Sequence, residues 1–242
     1  MKTLRLILST FLLFIATIGL AQKKYSGNGE VVTTERTIND FNQLEVKGPF
    51  KVTLTSALNN EIQLTTDANL MDQIITEVND QTLSIRLKKH TYLKPSKGKP
   101  IHIKVPLVAL KSVLRAGSGK IYAEEAFRTN AIAITHSGSG KIHLSLTARN
   151  TTVVLSGSGK IELEGSTNKL ITKLSGSGNI RLADFKAVEG EARLSGSGNI
   201  DVNCSETLDA KVSGSGNVRY KGEPSKRLIS KVSGSGAIRK VN

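Results

Sequence analysis

The phrase Gly-Ser-Gly recurs seven times in the second half of the chain, and no other feature constrains the fold as strongly. The steps between successive copies are 21, 19, 19, 20, 18 and 20 residues. A period near 20 residues is typical of a supersecondary unit that stacks on copies of itself. The first glycines of the copies are Gly117, Gly138, Gly157, Gly176, Gly196, Gly214 and Gly234.

Apolar and polar residues alternate on both sides of each copy, which is typical of strands with one buried face. Around Gly176, for example, Leu174 and Ile180 lie on the same parity. Glycine tolerates the positive φ angle of a sharp corner, so each copy is expected to form a bend between two strands. The sequence therefore predicts an all-β fold, a parallel β-helix whose turns stack at about 4.8 Å and bury their aliphatic residues together. A β-propeller is disfavoured, because its blades need about 40 residues.

The first 21 residues have the pattern of a secretory signal peptide. Lys2 and Arg5 precede an apolar run that ends in Gly19-Leu20-Ala21, a small-residue cleavage site. We expect cleavage before Gln22 and an exported mature chain, located in the periplasm, at the cell surface or outside the cell. No later segment is apolar enough to span a bilayer, so no transmembrane helix is expected in the mature chain.

The remaining residues divide into three parts. Residues 22–40 are polar and are expected to be loose. Residues 41–116 keep the strand signature without the Gly-Ser-Gly phrase, and we interpret them as less regular turns that also cap the first end of the solenoid. A helix-like spacing from Asn69 to Val78 predicts one or two turns of helix there. Residues 117–242 form the regular repeat.

The chain is strongly basic, with a formal net charge of +14, or +12 without Lys2 and Arg5. This charge predicts an anionic neighbourhood, such as acidic polysaccharide or another envelope polymer, unless the basic faces serve only to prevent aggregation. No specific nucleic-acid partner is expected, and the oligomeric state is left open. The last strand leaves an open edge. The favoured interpretation is that the charges of Arg239 and Lys240 prevent this edge from pairing with other strands, and the alternative is that the edge pairs with another subunit. Cys204, the single cysteine, excludes an intramolecular disulfide and has the parity of a core residue.

The recurring Ser-Gly-Ser-Gly-Asn-Ile phrase, with Phe41-x-x-Leu44 and Asp67-x-Asn69-Leu70 upstream, resembles the DUF2807 family, described as the head GIN domain of autotransporter adhesins. Gly178-Asn179-Ile180 and Gly198-Asn199-Ile200 match the Gly-Asn-Ile of that name, whereas other copies depart from it. The resemblance covers roughly residues 41–241. It implies a single-stranded, right-handed β-helix with a cell-surface or secreted role, and it supplies no catalytic or binding residue.

The sequence contains no convincing catalytic or ligand motif. Gly138-Ser139-Gly140-Lys141 lacks the spacing of a phosphate loop and leads into a strand. Calcium-binding β-rolls need Asp where this chain has Lys, Asn or Ala, and the four histidines have no metal-ligand spacing. We therefore predict no catalytic residue, no metal site and no cofactor. Because the acidic residues of the repeat form no column, a polysaccharide lyase or hydrolase is kept only as the alternative function.

Two basic columns flank the bends on the predicted outward parity. Stacked cations about 5 Å apart need solvent or an anionic ligand, so these columns predict a surface that binds an anionic glycan. Whether the serines between them face outward or form an inward structural ladder is left open, with a mainly structural ladder favoured. The candidate residues are Lys173, Arg193, Lys211 and Lys231 before the bend, and Arg181 and Arg219 after it.

Arg115 and His136 interrupt the aliphatic column that holds Leu174 and Val212 in later copies. We interpret them as partly buried residues beside the irregular half, rather than as a site. The sequence as a whole predicts an exported, non-catalytic adhesin on a β-helix scaffold.

Overall fold

The computed structural model describes residues 22–241, an almost entirely β structure with 70% of residues in strands and 3% in helix. The predicted signal peptide, residues 1–21, lies outside the described residues. The strands are β1 (Lys23–Ser26), β2 (Val31–Thr37), β3 (Gln43–Lys47), β4 (Lys51–Thr55), β5 (Glu61–Asp67), β6 (Ile74–Asn79), β7 (Thr82–Leu87), β8 (Thr91–Lys94), β9 (His102–Pro106), β10 (Ser112–Ala116), β11 (Lys120–Ala123), β12 (Phe127–Gly138), β13 (Lys141–Gly157), β14 (Lys160–Gly176), β15 (Asn179–Gly196), β16 (Asn199–Gly214), β17 (Asn217–Lys221), β18 (Arg227–Ser233) and β19 (Ala237–Lys240).

The regular part is the β-solenoid that the repeat predicts. Strands β12 to β16 pair in parallel, each with the next, and equivalent residues face each other. Ile142 pairs with Ile161, and Gly157 pairs with Gly176. We call the segments that enter the bends the upstream side of the solenoid and those that leave the bends the downstream side. In the turn around Gly176, these are residues 169–175 and 179–182.

The seven predicted bends lie in a single file. Their first glycines have φ angles between +106° and +121°, which L side chains rarely adopt. A Cβ atom at Gly196 would also lie 2.5 Å from the carbonyl oxygen of Gly176 in the turn below. The first glycine of the bend is therefore required for two reasons: its positive φ angle, and the close approach of the backbone in the next turn.

The stack extends one turn beyond the Gly-Ser-Gly copies, to Gly48. Ala116 pairs with Lys47, so the bend at Gly48 lies beside the bend at Gly117. Phe50 takes the place of the second glycine of the phrase, and its fully buried ring fills the interior. The turns here do not follow sequence order, because β3 and β4 lie between β7 and β9 on one side and β10 and β11 on the other.

The N-terminal half covers the first end of the solenoid. On the upstream side, β6 adds an antiparallel edge to β7. On the downstream side, β5 pairs antiparallel with β9, and β2 pairs antiparallel with β5. Arg36 of β2 reaches across to the upstream side, where its guanidinium donates hydrogen bonds to the carbonyl oxygen of Ile74 at 2.8 Å and to the hydroxyl of Thr76 at 2.9 Å.

Two expectations for this half need correction. Residues 22–40 are not loose, because they contain β1 and β2. Both are edge strands with largely exposed side chains, so they lack the apolar alternation that marks a half-buried strand. The predicted helix between Asn69 and Val78 is a 3₁₀ turn, Ala68–Gln73, and the later residues form β6.

The core runs along the interior of the solenoid as one continuous cluster of aliphatic side chains. Cys204 is fully buried there, which confirms its predicted place, and burial raises the pKa of its thiol to about 12. At the last end, Leu228 and Val232 occupy interior columns but are exposed, because within the described residues no further turn covers them. Within residues 22–241, no helix has both the length and the apolar run needed to cross a bilayer.

Candidate anion-binding surface

The alternation of inward and outward side chains continues through each bend. Ser175 and Ser177 are both exposed, whereas Gly178 is buried. The same pattern holds at the bends on either side, so both serine rows face the solvent. This orientation answers the question left open by the sequence and excludes an inward serine ladder.

The upstream side brings four predicted site residues into one groove, which we call the upstream groove. Its volume is about 560 Å³, and it runs across five successive turns. Cations and serine hydroxyls alternate along its outward columns, one of each per turn from the turn of Lys173 onward. The outward side chains that line it are Val154, Lys173, Arg193, Lys211 and Lys231 in one column and Ser156, Ser175, Ser195, Ser213 and Ser233 in the next.

The four cations of the upstream groove are not equivalent. The guanidinium of Arg193 donates two hydrogen bonds to the carboxylate of Asp209, both of 3.1 Å, and lies 3.4 Å from Glu191. Its charge is therefore neutralised within the protein. Within the described residues, Lys173, Lys211 and Lys231 form no ion pair, so their ammonium groups are available to a ligand.

The remaining two predicted residues, Arg181 and Arg219, lie on the downstream side, across the bend from the upstream groove. Arg219 donates two hydrogen bonds to the carboxylate of Asp201, at 2.6 and 2.9 Å. Arg181 lies 3.5 Å from Glu162. Both arginines are thus paired across turns, and the structure does not bring them together with the lysines of the upstream groove.

The downstream side also carries a lysine column, formed by Lys51, Lys120, Lys141 and Lys160. Lys141 and Lys160 both donate to the carboxylate of Glu162. Burial raises the pKa of this carboxyl group, but the hydrogen bonds and charges of the two lysines outweigh that effect and hold its pKa at about 2. Glu162 is therefore an ionised counter-charge for the column.

Sequence reasoning missed Lys51 as the first member of this column. The signal was present, because Lys51 follows Gly48 by three residues, just as Lys120 follows Gly117. Beyond Lys160 the same column holds Asn179, Asn199 and Asn217. The amide of Asn199 donates to the side-chain oxygen of Asn179 at 3.1 Å, and that of Asn217 donates to Asn199 at 3.3 Å. The Asn of the Gly-Asn-Ile phrase thus forms a structural ladder on the surface.

The interpretation of Arg115 and His136 as partly buried is wrong, because both side chains are fully buried. The cap places β3 and β7 beyond them, so they lie in the middle of the stack rather than at its margin. Arg115 donates one long hydrogen bond, 3.4 Å, to the carbonyl oxygen of Gly48, and His136 Nδ1 lies 3.2 Å from the carbonyl oxygen of Arg115. Burial lowers the pKa of Arg115 to about 10, so its guanidinium is still charged at neutral pH.

The acidic residues of the repeat are mostly engaged with cations. Glu191 and Asp209 face each other in adjacent turns, but Arg193 lies beside both. His143 lies between Glu162 and Glu164, 3.5 Å from each. In the part of the chain that the structure describes, no three His, Cys, Asp or Glu side chains gather to hold a metal ion.

The chain was compared with models of known protein families. A family model described as "Putative auto-transporter adhesin, head GIN domain" matches residues 40–224. The chain belongs to the DUF2807 family. The match therefore includes the cap from β3 onward, without β1 and β2, and most of the stacked bends, which confirms the resemblance seen in the sequence. No curated protein matches the chain.

Solved structures share the fold of this GIN domain. A "putative adhesin" from Bacteroides fragilis has a TM-score of 0.83 at 24% identity and covers 90% of this chain and 100% of its own. A "putative lipid binding protein" from Parabacteroides distasonis has a TM-score of 0.74 at 28% identity, with 91% and 100% covered. A "putative adhesin" from Parabacteroides merdae has a TM-score of 0.69 at 22% identity, with 90% and 99% covered.

Proposed function

We propose that this GIN domain is an exported, non-catalytic adhesin that binds an anionic glycan, or another anionic polymer of the cell envelope, along the upstream groove. The observation that carries the proposal is the contrast in charge pairing. Lys173, Lys211 and Lys231 share one groove and have no carboxylate partner within the described residues. On the downstream side, Glu162 engages Lys141 and Lys160, and Asp201 engages Arg219.

The periodicity of the upstream groove suits a linear polymer. Its serine column repeats once per turn over five turns, which corresponds to roughly 19 Å at the usual strand spacing. Each turn offers a hydroxyl group, which can donate and accept, and three of the turns offer an unpaired ammonium group. A polymer that engages several turns at once gains from the sum of contacts that are individually weak.

Recognition would depend on charge and hydrogen bonds rather than on stacking. The chain contains no Trp, and aromatic residues make up 4% of it. Platforms for the apolar faces of sugar rings are therefore scarce. Binding through exposed ammonium groups weakens as salt screens them, so the proposed interaction is salt-sensitive.

The electrostatics of the carboxylates support a non-catalytic role. A glycosidase needs a general acid whose pKa is raised, paired with a second carboxylate across the substrate. The pKa of Glu162 is instead lowered to about 2 by Lys141 and Lys160. The adhesin names of the family and of two similar structures agree with a binding role.

Binding to immobilised polymers tests the proposal. The mature chain is passed over an immobilised polyuronate, a sulfated polysaccharide and neutral dextran. A triple variant with Lys173→Gln, Lys211→Gln and Lys231→Gln is tested in the same way. Each ammonium group near an anionic surface contributes about 1 kcal/mol, so the triple variant is expected to bind the acidic polymers roughly 100-fold more weakly. A control with the same charge change, Lys88→Gln, Lys89→Gln and Lys97→Gln, alters exposed residues in the two connections on either side of β8, outside the upstream groove, and should bind like the wild type.

Two outcomes would contradict the proposal. Equal binding to dextran and to the acidic polymers would show that charge is not recognised. Unchanged binding by the groove variant would place the site elsewhere. A further arm uses vesicles with anionic lipids, because one similar structure is named a lipid-binding protein. Binding to these vesicles without binding to either polysaccharide would assign the groove to lipid headgroups instead.

A further inference from the structure

A second cavity lies on the downstream side, where the cap meets the solenoid. The antiparallel pairing of β5 with β9 stops at Thr65 and His102, and no residue just before His102 pairs with β5. The gap that this leaves has a volume of about 340 Å³, which is within the range of small-molecule sites. We call it the cap pocket, and the residues that line it include Val31, Lys51, Thr65, Lys99, Pro100 and His102.

The polar side chains of the cap pocket are of the kinds that bind anions. Lys51 and Lys99 contribute two ammonium groups, His102 contributes an imidazole, and Thr65 contributes a hydroxyl group. No residue that lines the pocket is acidic. The lining therefore offers positive charge and hydrogen-bond donors without a carboxylate among them.

Both ammonium groups keep donors for a ligand. Within the described residues, neither Lys51 nor Lys99 forms an ion pair. The ammonium group of Lys51 lies 5.4 Å from the centre of the Tyr122 ring, a contact that uses none of its strong donors. That of Lys99 donates one hydrogen bond, of 2.9 Å, to the carbonyl oxygen of Gly29, and two of its three donors remain.

The imidazole of His102 is held in place and responds to the charge around it. Its Nε2 atom lies 2.7 Å from the hydroxyl oxygen of Thr53, whereas Nδ1 makes no hydrogen bond within the described residues. Burial lowers the pKa of His102, and the charges of Lys51 and Lys104 lower it further. Glu124 raises this pKa, but its effect is smaller than that of either lysine. The ring therefore lies in an excess of positive charge.

The carboxylate of Asp67 is close to the cap pocket in sequence but is engaged elsewhere. Its oxygens accept hydrogen bonds from the backbone N–H groups of Gly29, at 2.8 Å, and Ser96, at 3.0 Å. Within residues 22–241 it forms no ion pair with either lysine of the pocket. It does not take the place of an anionic ligand there.

We propose that the cap pocket binds a phosphate group, either free or as a phosphate ester. Lys51 and Thr65 are the register partners of His102 on its two neighbouring strands, so the three residues form one row about 4.8 Å apart. The two negative charges of a phosphate match Lys51 and Lys99, and its several oxygens can accept hydrogen bonds from donors on different strands. The cap pocket lies on the other side of the bends from the upstream groove, so this proposal is independent of polymer binding.

Nuclear magnetic resonance of the histidines tests the proposal. The pKa of His102 is measured in the mature chain without added anion, with inorganic phosphate, and with chloride at the same ionic strength. Bound phosphate favours the protonated imidazole, so phosphate should raise the pKa of His102 by about one unit more than chloride does. Saturation is expected with a Kd of about 1 mM. The signals of His90 and His143, which do not line the pocket, are internal references.

Two variants locate the response. Lys51→Gln and Lys99→Gln should each weaken phosphate binding by about fivefold, because each removes one ammonium group from the anion. Lys51→Gln should in addition raise the pKa of His102 in the absence of phosphate, because it removes a cation that lowers this pKa. Lys173→Gln makes the same charge change in the upstream groove, and as the matched control it should leave the response of His102 unchanged.

Two results would overturn the proposal. One is a pKa of His102 that responds equally to phosphate and to chloride, because screening alone would explain it. The other is a phosphate response that persists in both lysine variants, because the anion would then bind elsewhere. A hexose phosphate, tested in the same way, identifies the source of the group. Tighter binding than that of inorganic phosphate would support an ester as the ligand, and weaker binding would support free phosphate.

Discussion

The two sides of the bends carry similar cations but differ in how those cations are neutralised. On the downstream side, Glu162 holds Lys141 and Lys160, and Asp201 holds Arg219. In the upstream groove, Arg193 is held by Asp209, but the lysines around it are not. Charge columns that look equivalent in sequence therefore divide into a structural set and a set that remains available. The partner of each charge, rather than its position in the repeat, indicates which set it belongs to.

The largest effect is expected at Arg115, where a charge has neither solvent nor a carboxylate. Arg115→Leu places in the core the residue that the same column holds at Leu155 and Leu174. Replacing a buried charge by a well-packed apolar side chain is often stabilising, here by about 1–4 kcal/mol. Chemical denaturation measures the free energy of unfolding, with exposed Arg149→Leu as the control. A loss of stability in Arg115→Leu would show that the buried charge is compensated after all.

The second prediction removes the counter-charge of the downstream column. In Glu162→Gln, Lys141 and Lys160 lose their shared carboxylate, and the variant should be less stable at neutral pH by about 1–2 kcal/mol. Because the pKa of Glu162 is lowered in the folded state, its contribution is complete above its unfolded pKa of about 4.3 and is lost as the pH falls towards 2. Denaturation at several pH values should show this acid-dependent loss in the wild type and a smaller one in the variant.

The more exposed Glu164 provides the control for that experiment, because Glu164→Gln changes the same charge without removing the partner of the two lysines. If both variants lose stability equally, Glu162 is not the specific counter-charge of the column, and the contrast between the two sides of the bend becomes weaker.

The third prediction converts a paired cation of the upstream groove into an available one. Asp209→Asn removes the carboxylate that receives two hydrogen bonds from Arg193 and leaves only the contact of 3.4 Å with Glu191. One more cation facing an anionic polymer should increase affinity by about fivefold. Glu206→Gln, which releases Lys226 outside the groove, is the matched control in the same binding assay. A gain in both variants would mean that net charge alone governs binding.

The smallest effect is expected on the downstream side. Asp201→Asn releases Arg219 but adds no cation to the upstream groove. Affinity for the acidic polymer should therefore change by less than about twofold, since an exposed charge beyond the screening length contributes little. An increase as large as that of Asp209→Asn would show that both sides of the bend contact the polymer.

Much of the architecture could be predicted from the sequence, because the repeat imposes it locally. The inward parity of Leu174 and Ile180 and the requirement for glycine at Gly176 both follow from a short phrase. The direction of the serines did not follow, since it depends on whether the bend preserves the alternation. That property lies in the backbone angles of the corner rather than in the residue pattern.

The N-terminal half was less predictable because its pairings are distant and out of order. Strand β3 lies beside β10, which is more than sixty residues later in the chain, and no periodic pattern in the sequence predicts this contact. The burial of Arg115 follows from that arrangement. The ion pairs could not be predicted either, because Arg193 reaches Asp209 diagonally in the adjacent turn, whereas its direct neighbour there is Lys211.

The salt dependence of polymer binding tests the central distinction most directly. Each cation that contacts an anionic polymer releases counterions, as in nucleic-acid binding, and contributes roughly 0.7–0.9 to the slope of log affinity against log salt. Changing Lys173, Lys211 and Lys231 to Gln should reduce the magnitude of that slope by about two. Changing Lys141, Lys160 and Arg219 to Gln should leave it unchanged, because Glu162 and Asp201 already neutralise these three cations. An equal reduction in both triple variants would contradict the assignment of binding to the upstream groove.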